Sequence, residues 1–291
     1  MITKFGKRFI AQYLAGNVTF PAQDLAIGID STAVNASGND TRLGFEFYRL
    51  PVTLGTIDIQ TDGNGDSTYA VVYKATLPQD VAGEIKEIGL YPSSRISVNN
   101  FDSKFISDFE NNILWTDSND NSPELVTSPV PRIGATMSKI SLASSGVIEY
   151  KSKFSSFDLS GYSANDTLTL AFNQADTNLS SIKVKFYSSD TAYSYATFSN
   201  LTTVGNNIKQ VSLSSLQTSG SPDTTSITKV GIEVTAKNTG ATIMYLDGLR
   251  INDEDTFDPR FGLIARSVLS TTLQKKAGRP ADIEYRLGIN F

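Results

Sequence analysis

The chain has 291 residues, 25 Lys and Arg against 30 Asp and Glu for a net charge of −5, and neither His nor Cys. That length allows two domains with separate cores, while the missing residue types exclude disulfides, thiolate or zinc hydrolase sites and the usual catalytic triads. An acidic balance without a clustered basic stripe argues against a nucleic-acid partner, whose phosphates need such clusters.

In chain order, the segment from Met1 to Arg8 is charged from its start and no long apolar run follows, so neither a signal peptide nor membrane insertion is expected. Phe5, Phe9, Ile10, Tyr13 and Leu14 recur at helical spacing and Gly16 suits the end of that run, which predicts one short amphipathic helix. The period then changes to two. Leu25–Ile29, Phe45–Val52, Gly55–Ile59 and Thr68–Leu77 read as strands. The stretch Asp62-Gly63-Asn64-Gly65-Asp66 has the acidic spacing of a calcium loop. Ser67 and Tyr73 stand where that loop needs Gly and Glu, so a hairpin turn is expected. Gly83–Tyr91 is a further strand, stopped by Pro92, with Ile88 and Leu90 set for a core.

From residue 101 the character shifts to Ser, Thr and Asn with short apolar alternations. Phe105–Glu110 and Leu114-Trp115 lead into turn-rich sequence through Pro123, Pro129 and Pro131. Strand patterns follow at Gly146–Tyr150, Thr167–Phe172, Ile182–Tyr187, Ala192–Phe198, Gln210–Leu213, Ile227–Val234 and Ala241–Ile251. Many short strands between turn residues indicate a β-sandwich. After the acidic, Pro-terminated stretch Asn252–Pro259, strands resume at Gly262–Leu269 and Asp282–Phe291, joined by the basic turn Lys275–Pro280, a candidate docking loop. The expected architecture is mainly β. A discontinuous α+β domain (1–100 and 258–291) carries an inserted jelly-roll sandwich (101–257).

The order of four short phrases carries a resemblance: Arg49-Leu50-Pro51-Val52, then Glu87-Ile88-Gly89-Leu90-Tyr91, then Gly262-Leu263-Ile264-Ala265-Arg266, then Ile283-Glu284-Tyr285-Arg286-Leu287 toward Phe291. Together they resemble the N-terminal attachment domain of phage tail-collar and tail-fibre proteins. The resemblance implies a non-enzymatic structural protein of a bacteriophage virion, made in the host cytoplasm. Its place would be the tail or baseplate, as a fibre or fibre adaptor, with other virion proteins as partners and a homo-oligomer, trimer favoured. The large insertion and the absence of a fibre shaft after it depart from that family. A capsid decoration or head-fibre protein, and a free-standing glycan-binding lectin, are the alternatives.

Within the insert, Asp108-Phe109-Glu110 with Trp115, Phe157-Asp158-Leu159-Ser160 and Tyr245-Leu246-Asp247-Gly248-Leu249-Arg250-Ile251 resemble a jelly-roll carbohydrate-binding module of the galactose-binding-like group. That resemblance implies a structural calcium held by Glu110 and Asp247, with no other cofactor. It also implies contact with a host surface glycan through aromatic side chains. Tyr187, Tyr193 and Tyr195 are the candidates, with Tyr162 and Trp115 also available. Ile182, Val184 and Phe186 form the inward set of their strand, so Tyr187 should face the other way, while Tyr193 and Tyr195 share a face that alternation alone does not identify. No carboxylate pair suggests a glycosidase cleft, and no enzyme is expected.

Overall fold

A computed structural model describes residues 1–16, 24–61, 67–92, 104–152, 157–252 and 262–289. The turn at 62–66 and most of the two stretches that join the discontinuous part to the insert lie outside the described residues. The chain forms two compact units, one built from Met1–Val98 with Thr256–Phe291 and the other from Asn99–Asp255.

The first unit opens with α1 (Lys4–Leu14), capped by Thr3, whose hydroxyl accepts the Gly6 N–H at 2.9 Å. The helix is set close at its first turn, where a Cβ on Gly6 would lie 2.0 Å from the Ile264 carbonyl oxygen. Phe9 is buried and stacked on Phe5 at 6.1 Å, whereas Tyr13 and Leu14 are exposed, so only the first half of the amphipathic pattern is used. Strands β1 (Asp24–Gly28), β2 (Glu46–Pro51), β3 (Thr53–Thr61), β4 (Ser67–Leu77) and β5 (Gly83–Tyr91) follow.

The second unit contributes β6 (Lys104–Ser107), β7 (Trp115–Thr116), β8 (Glu124–Val126), β9 (Met137–Leu142), β10 (Val147–Ser152), β11 (Thr167–Gln174) and β12 (Leu179–Tyr187). It continues with β13 (Tyr193–Phe198), β14 (Gly205–Ser212), β15 (Gln217–Ser219), β16 (Lys229–Ala236) and β17 (Thr242–Asn252). The chain then returns to the first unit with β18 (Ala265–Lys275) and β19 (Ala281–Ile289).

In the first unit one antiparallel sheet runs β18-β5-β1-β2 and another runs β19-β4-β3. Leu25, Ile27, Ile88 and Leu90 of the first sheet share one core with Tyr73, Leu77, Tyr285 and Leu287 of the second. The pieces before and after the insert are therefore interleaved strand by strand. A buried ionic cluster joins them as well. The fully buried carboxylate of Glu87 accepts the backbone N–H groups of Phe45 at 2.8 Å, Gly44 at 3.0 Å and Asp30 at 3.3 Å. Arg266 donates to the same carboxylate from Nε at 3.0 Å, and its other nitrogens reach Asp40 at 3.3 Å, Asp30 at 3.5 Å and the Thr32 carbonyl at 3.1 Å. Burial pushes the Glu87 carboxyl above its ordinary range, while Arg266 and the two nearest amides work against that rise. The expected docking loop is partly committed inside the unit, since Lys275 is buried and donates to the carbonyls of Val81 and Lys276 at 2.8 and 2.9 Å. Lys276 and Arg279 are left exposed.

In the second unit, one sheet runs β15-β13-β12-β16-β10-β7 and the other β14-β11-β17-β9-β8, with β6 also paired to β17. Ile182, Val184, Phe186, Ile232 and Val234 of the first meet Leu168, Leu170, Phe172, Leu246, Leu249 and Ile251 of the second in one core. Two antiparallel sheets closed over a shared apolar layer make this unit a β-sandwich.

Candidate functional site

Alternation along β12 sends Ile182, Val184 and Phe186 into the sandwich core and leaves Lys183, Lys185 and Tyr187 on the opposite face of the sheet. Register then selects their neighbours. Tyr187 stands opposite Tyr193 and Lys185 opposite Tyr195 on β13. On the other side Lys183 pairs with Glu233, and Lys185 with Gly231, of β16. Strand β10 adds Glu149 opposite Glu233 and Lys151 opposite Gly231. The three tyrosines thus share one face, with ring centroids 4.8 Å apart for Tyr187 and Tyr193 and 5.9 Å apart for Tyr193 and Tyr195.

The ions between them are fixed. Lys185 contacts Glu233 at 2.7 Å and Glu149 at 3.3 Å, and Lys183 contacts Glu233 at 2.9 Å. The ammonium of Lys185 also lies 5.2 Å from the Tyr193 ring centre, and that of Lys183 5.9 Å from the Tyr195 ring centre. Burial alone would lower Lys185, but its hydrogen bond to Glu233 and the charges of Glu149 and Glu233 hold it above the usual lysine range. Burial would raise Glu233, and its bonds to Lys185 and Lys183 prevail to hold it below the usual carboxylate range.

The tyrosines have different standing. Tyr187 is 2 % exposed, covered by the Lys151 ammonium at 4.6 Å from its ring centre, and donates its hydroxyl to Glu149 at 2.5 Å. Burial, followed by that bond, pushes its phenol far above the ordinary value. Tyr187 is therefore a support beneath the face, while Tyr193 and Tyr195 are half-buried and offer ring surface. Room for this arrangement comes from Gly231, where a Cβ would lie 2.5 Å from Glu149 Oε1 and 2.8 Å from the Tyr187 ring. The tyrosines are readable in the sequence, whereas Lys183, Lys185, Glu149, Glu233 and Gly231 join them only through strand register. Their signal was the charge alternating with core residues in β10, β12 and β16. Trp115 does not join this face. It is buried in the core against Phe109, with ring centroids at 5.1 Å, and Tyr162 packs on the same core.

Glu110 and Asp247 converge on one loop, residues 132–136. Asp247, buried on β17, accepts the backbone N–H of Arg132 at 3.0 Å and of Ile133 at 3.2 Å. Glu110 accepts the N–H of Ala135 and, at 3.0 Å, that of Thr136. Gly134, at φ 69°, lets the loop pass between them, because a Cβ there would lie 2.1 Å from the Glu110 carboxyl carbon. This arrangement does not fit a calcium ion. Such a hard cation wants six to eight oxygens, whereas these two carboxylates face N–H donors, and no group of three or more acidic, His or Cys residues that could hold a metal occurs among the described residues. Adding a chelator is accordingly expected to leave the melting temperature of the protein unchanged within about 1 °C, since nothing binding the native state would be removed. A calcium-dependent rise of several degrees in a thermal melt would restore the metal reading.

No protein-family model matches this chain, and no curated protein matches it. Solved structures do. The family 11 carbohydrate-binding module from Clostridium thermocellum, in complex with a beta-1,3-1,4-mixed-linked tetrasaccharide, is 12% identical at a TM-score of 0.38, covering 52% of this chain and 95% of that one. A structure described for the promiscuous specificity of carbohydrate-binding modules from the beta-sandwich super family is 14% identical at a TM-score of 0.34, covering 79% and 92%. The enzymatically active domain of bacteriophage CBA120 tailspike protein 4 is 13% identical at a TM-score of 0.30, covering 53% and 21%. The sandwich itself is established by the strand order and shared core of this chain.

Proposed function

We propose that this protein is a non-enzymatic structural component of a bacteriophage virion, a tail or baseplate fibre or fibre adaptor, whose sandwich binds host surface glycans through Tyr193 and Tyr195. The observation that carries the binding half is the tyrosine face. Two half-exposed rings stand beside a lattice of lysine and glutamate side chains already locked to one another, a combination of flat apolar surface and fixed polar groups suited to the faces and hydroxyls of a sugar. The same lattice supports binding over hydrolysis. A glycosidase needs one carboxyl protonated near neutral pH, and here Glu233 is held ionised by Lys185 and Lys183 while Glu149 is tied to Lys185 and Tyr187. The virion half rests on the ordered phrases of the first unit, two of which, around Glu87 and around Arg266, meet in its buried ionic cluster.

A glycan array probed with the full chain tests the binding half. Binding to a defined subset of glycans is expected, and Tyr193→Ala with Tyr195→Ala together should weaken it at least about tenfold, the equivalent of about 1.4 kcal/mol. Unchanged binding by that double variant would remove the tyrosine face from the reading. Gold-labelled antibody on intact virions tests the other half, with label expected at the tail. Label over the head would turn the reading to a capsid decoration, and no label on intact or disrupted particles would end it.

A further inference from the structure

Cross-strand partners share a face, so the register of the β19-β4-β3 sheet assigns its two sides. One side carries Leu54, Ile57 and Ile59 from β3, opposite Tyr73, Val71 and Tyr69 of β4, with Tyr285 and Leu287 of β19 beyond. At its inner end this side is core, since Tyr73, Tyr285 and Leu287 are buried. At its outer edge it is exposed to solvent. Leu54 is 60%, Ile57 68%, Ile59 59% and Tyr69 43% exposed. The reverse side carries the buried Ala70 and Val72 together with an ionic group in which Arg286 contacts Asp58 at 2.6 Å and Glu284 at 2.9 Å.

We infer that the column Leu54, Ile57, Ile59 and Tyr69 is the surface through which copies of this chain associate with one another. The inference deepens the homo-oligomeric part of the virion reading and names the face that serves it. Three observations favour a second copy as the occupant. First, area: four side chains exposed to this extent present roughly 400–500 Å² of apolar surface, within the roughly 300–600 Å² of the largest, often functional, patch on a typical monomer. Set against the roughly 800 Å² that each partner contributes to a stable interface, that is the apolar share such interfaces carry. Second, charge: the column holds no ionised group, and the one acidic side chain of its strand, Asp58, lies on the reverse side already answered by Arg286. A copy of the same column therefore meets no like charge. Third, position: among the described residues β3 pairs only with β4 and forms the edge of its sheet. Between Leu54 and Ile59 it has none of the Lys or Pro that commonly protect such an edge. Its bulge between Leu54 and Ile57 keeps all three apolar side chains on one side.

The test is the mass of the purified full chain in solution, measured by light scattering across a concentration series. The native chain is expected at the mass of three protomers. Ile57→Lys with Ile59→Lys is expected at the mass of one under the same conditions, with an unchanged circular dichroism spectrum because both positions face solvent in the protomer. Leu273→Lys, at an exposed position of β18 in the other sheet, serves as the control and should keep the native mass. A mass of two protomers that falls to one in the double variant would keep this surface and remove the threefold reading. A native chain that is monomeric at every concentration, or an oligomer that survives the double substitution, would overturn the inference. Neither of those results bears on where antibody labels the virion, so the two readings fail separately.

Discussion

Arg266→Met is expected to destabilise the discontinuous unit by about 3–5 kcal/mol at neutral pH, the range for removing one partner of a buried ion pair. The substitution keeps most of the side-chain volume but leaves Glu87, which is fully buried, with backbone N–H donors and no cation. The pH dependence has a definite sign. Burial already raises Glu87 above 4.5, and without Arg266 it rises further. A carboxyl whose folded value lies above its unfolded value holds its proton more tightly when folded. Its contribution is therefore fully present below the ordinary value and is lost as pH rises through the folded value. The deficit of Arg266→Met should accordingly be larger at neutral pH than at mildly acidic pH. Urea titrations at two pH values measure both effects, and a deficit under about 1 kcal/mol, or one that grows on acidification, would show that the cluster does not act as an ion pair.

Asp247→Ala is expected to cost the sandwich about 2–6 kcal/mol, because the buried N–H groups of Arg132 and Ile133 both lose their acceptor and each orphaned donor costs about 1–3 kcal/mol. Asp247→Asn retains one carbonyl oxygen and should cost about half as much. Glu110→Ala should cost less than Asp247→Ala, since Glu110 is only partly buried and water can reach the freed amides of Ala135 and Thr136. The same urea titration checks this ranking. Equal effects for all three variants would mean that the 132–136 loop is held by contacts other than these carboxylates.

Much of the β architecture was legible because alternation reports burial directly. Gly83–Tyr91 was read with the bounds it has in the structure, and the inward set Ile182, Val184 and Phe186 is fully buried. Strands were missed where burial does not track hydrophobicity. In β9 the buried Ser138 shares a side with the core residues Ile140 and Leu142 and donates to the Phe109 carbonyl at 2.9 Å, so Met137–Leu142 shows no clean period. In β14 only the end from Gln210 is legible, because Gly205–Lys209 is polar in composition while pairing fully with β11. The helix is legible in position and runs to Leu14 as its spacing indicates, but Tyr13 and Leu14 at its end are exposed. Helical spacing says which residues share a side and not how far the packing surface beneath them extends.

The site was less legible for a related reason. Tyr187, Tyr193 and Tyr195 could be listed from sequence, but the difference between a support and a contact surface depends on residues brought in by β10 and β16. Glu149 and Lys151 lie far along the chain from Tyr187, and only strand register puts them around its ring. For Glu110 and Asp247 the resemblance suggests a shared cation, whereas their hydrogen-bond partners come from the backbone of a loop with no sequence signature beyond Gly134.

The pairing of Glu87 with Arg266 spans 179 positions of chain, and β18 and β19 complete both sheets of the unit that β1–β5 begin. On the ribosome, the nascent segment carrying β1–β5 waits with two sheet edges unfilled while the whole sandwich is translated, leaves the exit tunnel and has the chance to close on its own core. Only then do the last strands arrive. Synthesis stalled or cut short within the sandwich would release a chain with one finished half and one exposed, strand-edged half. The order of synthesis thus makes the closing strands the point at which a sound copy is separated from an aggregation-prone fragment.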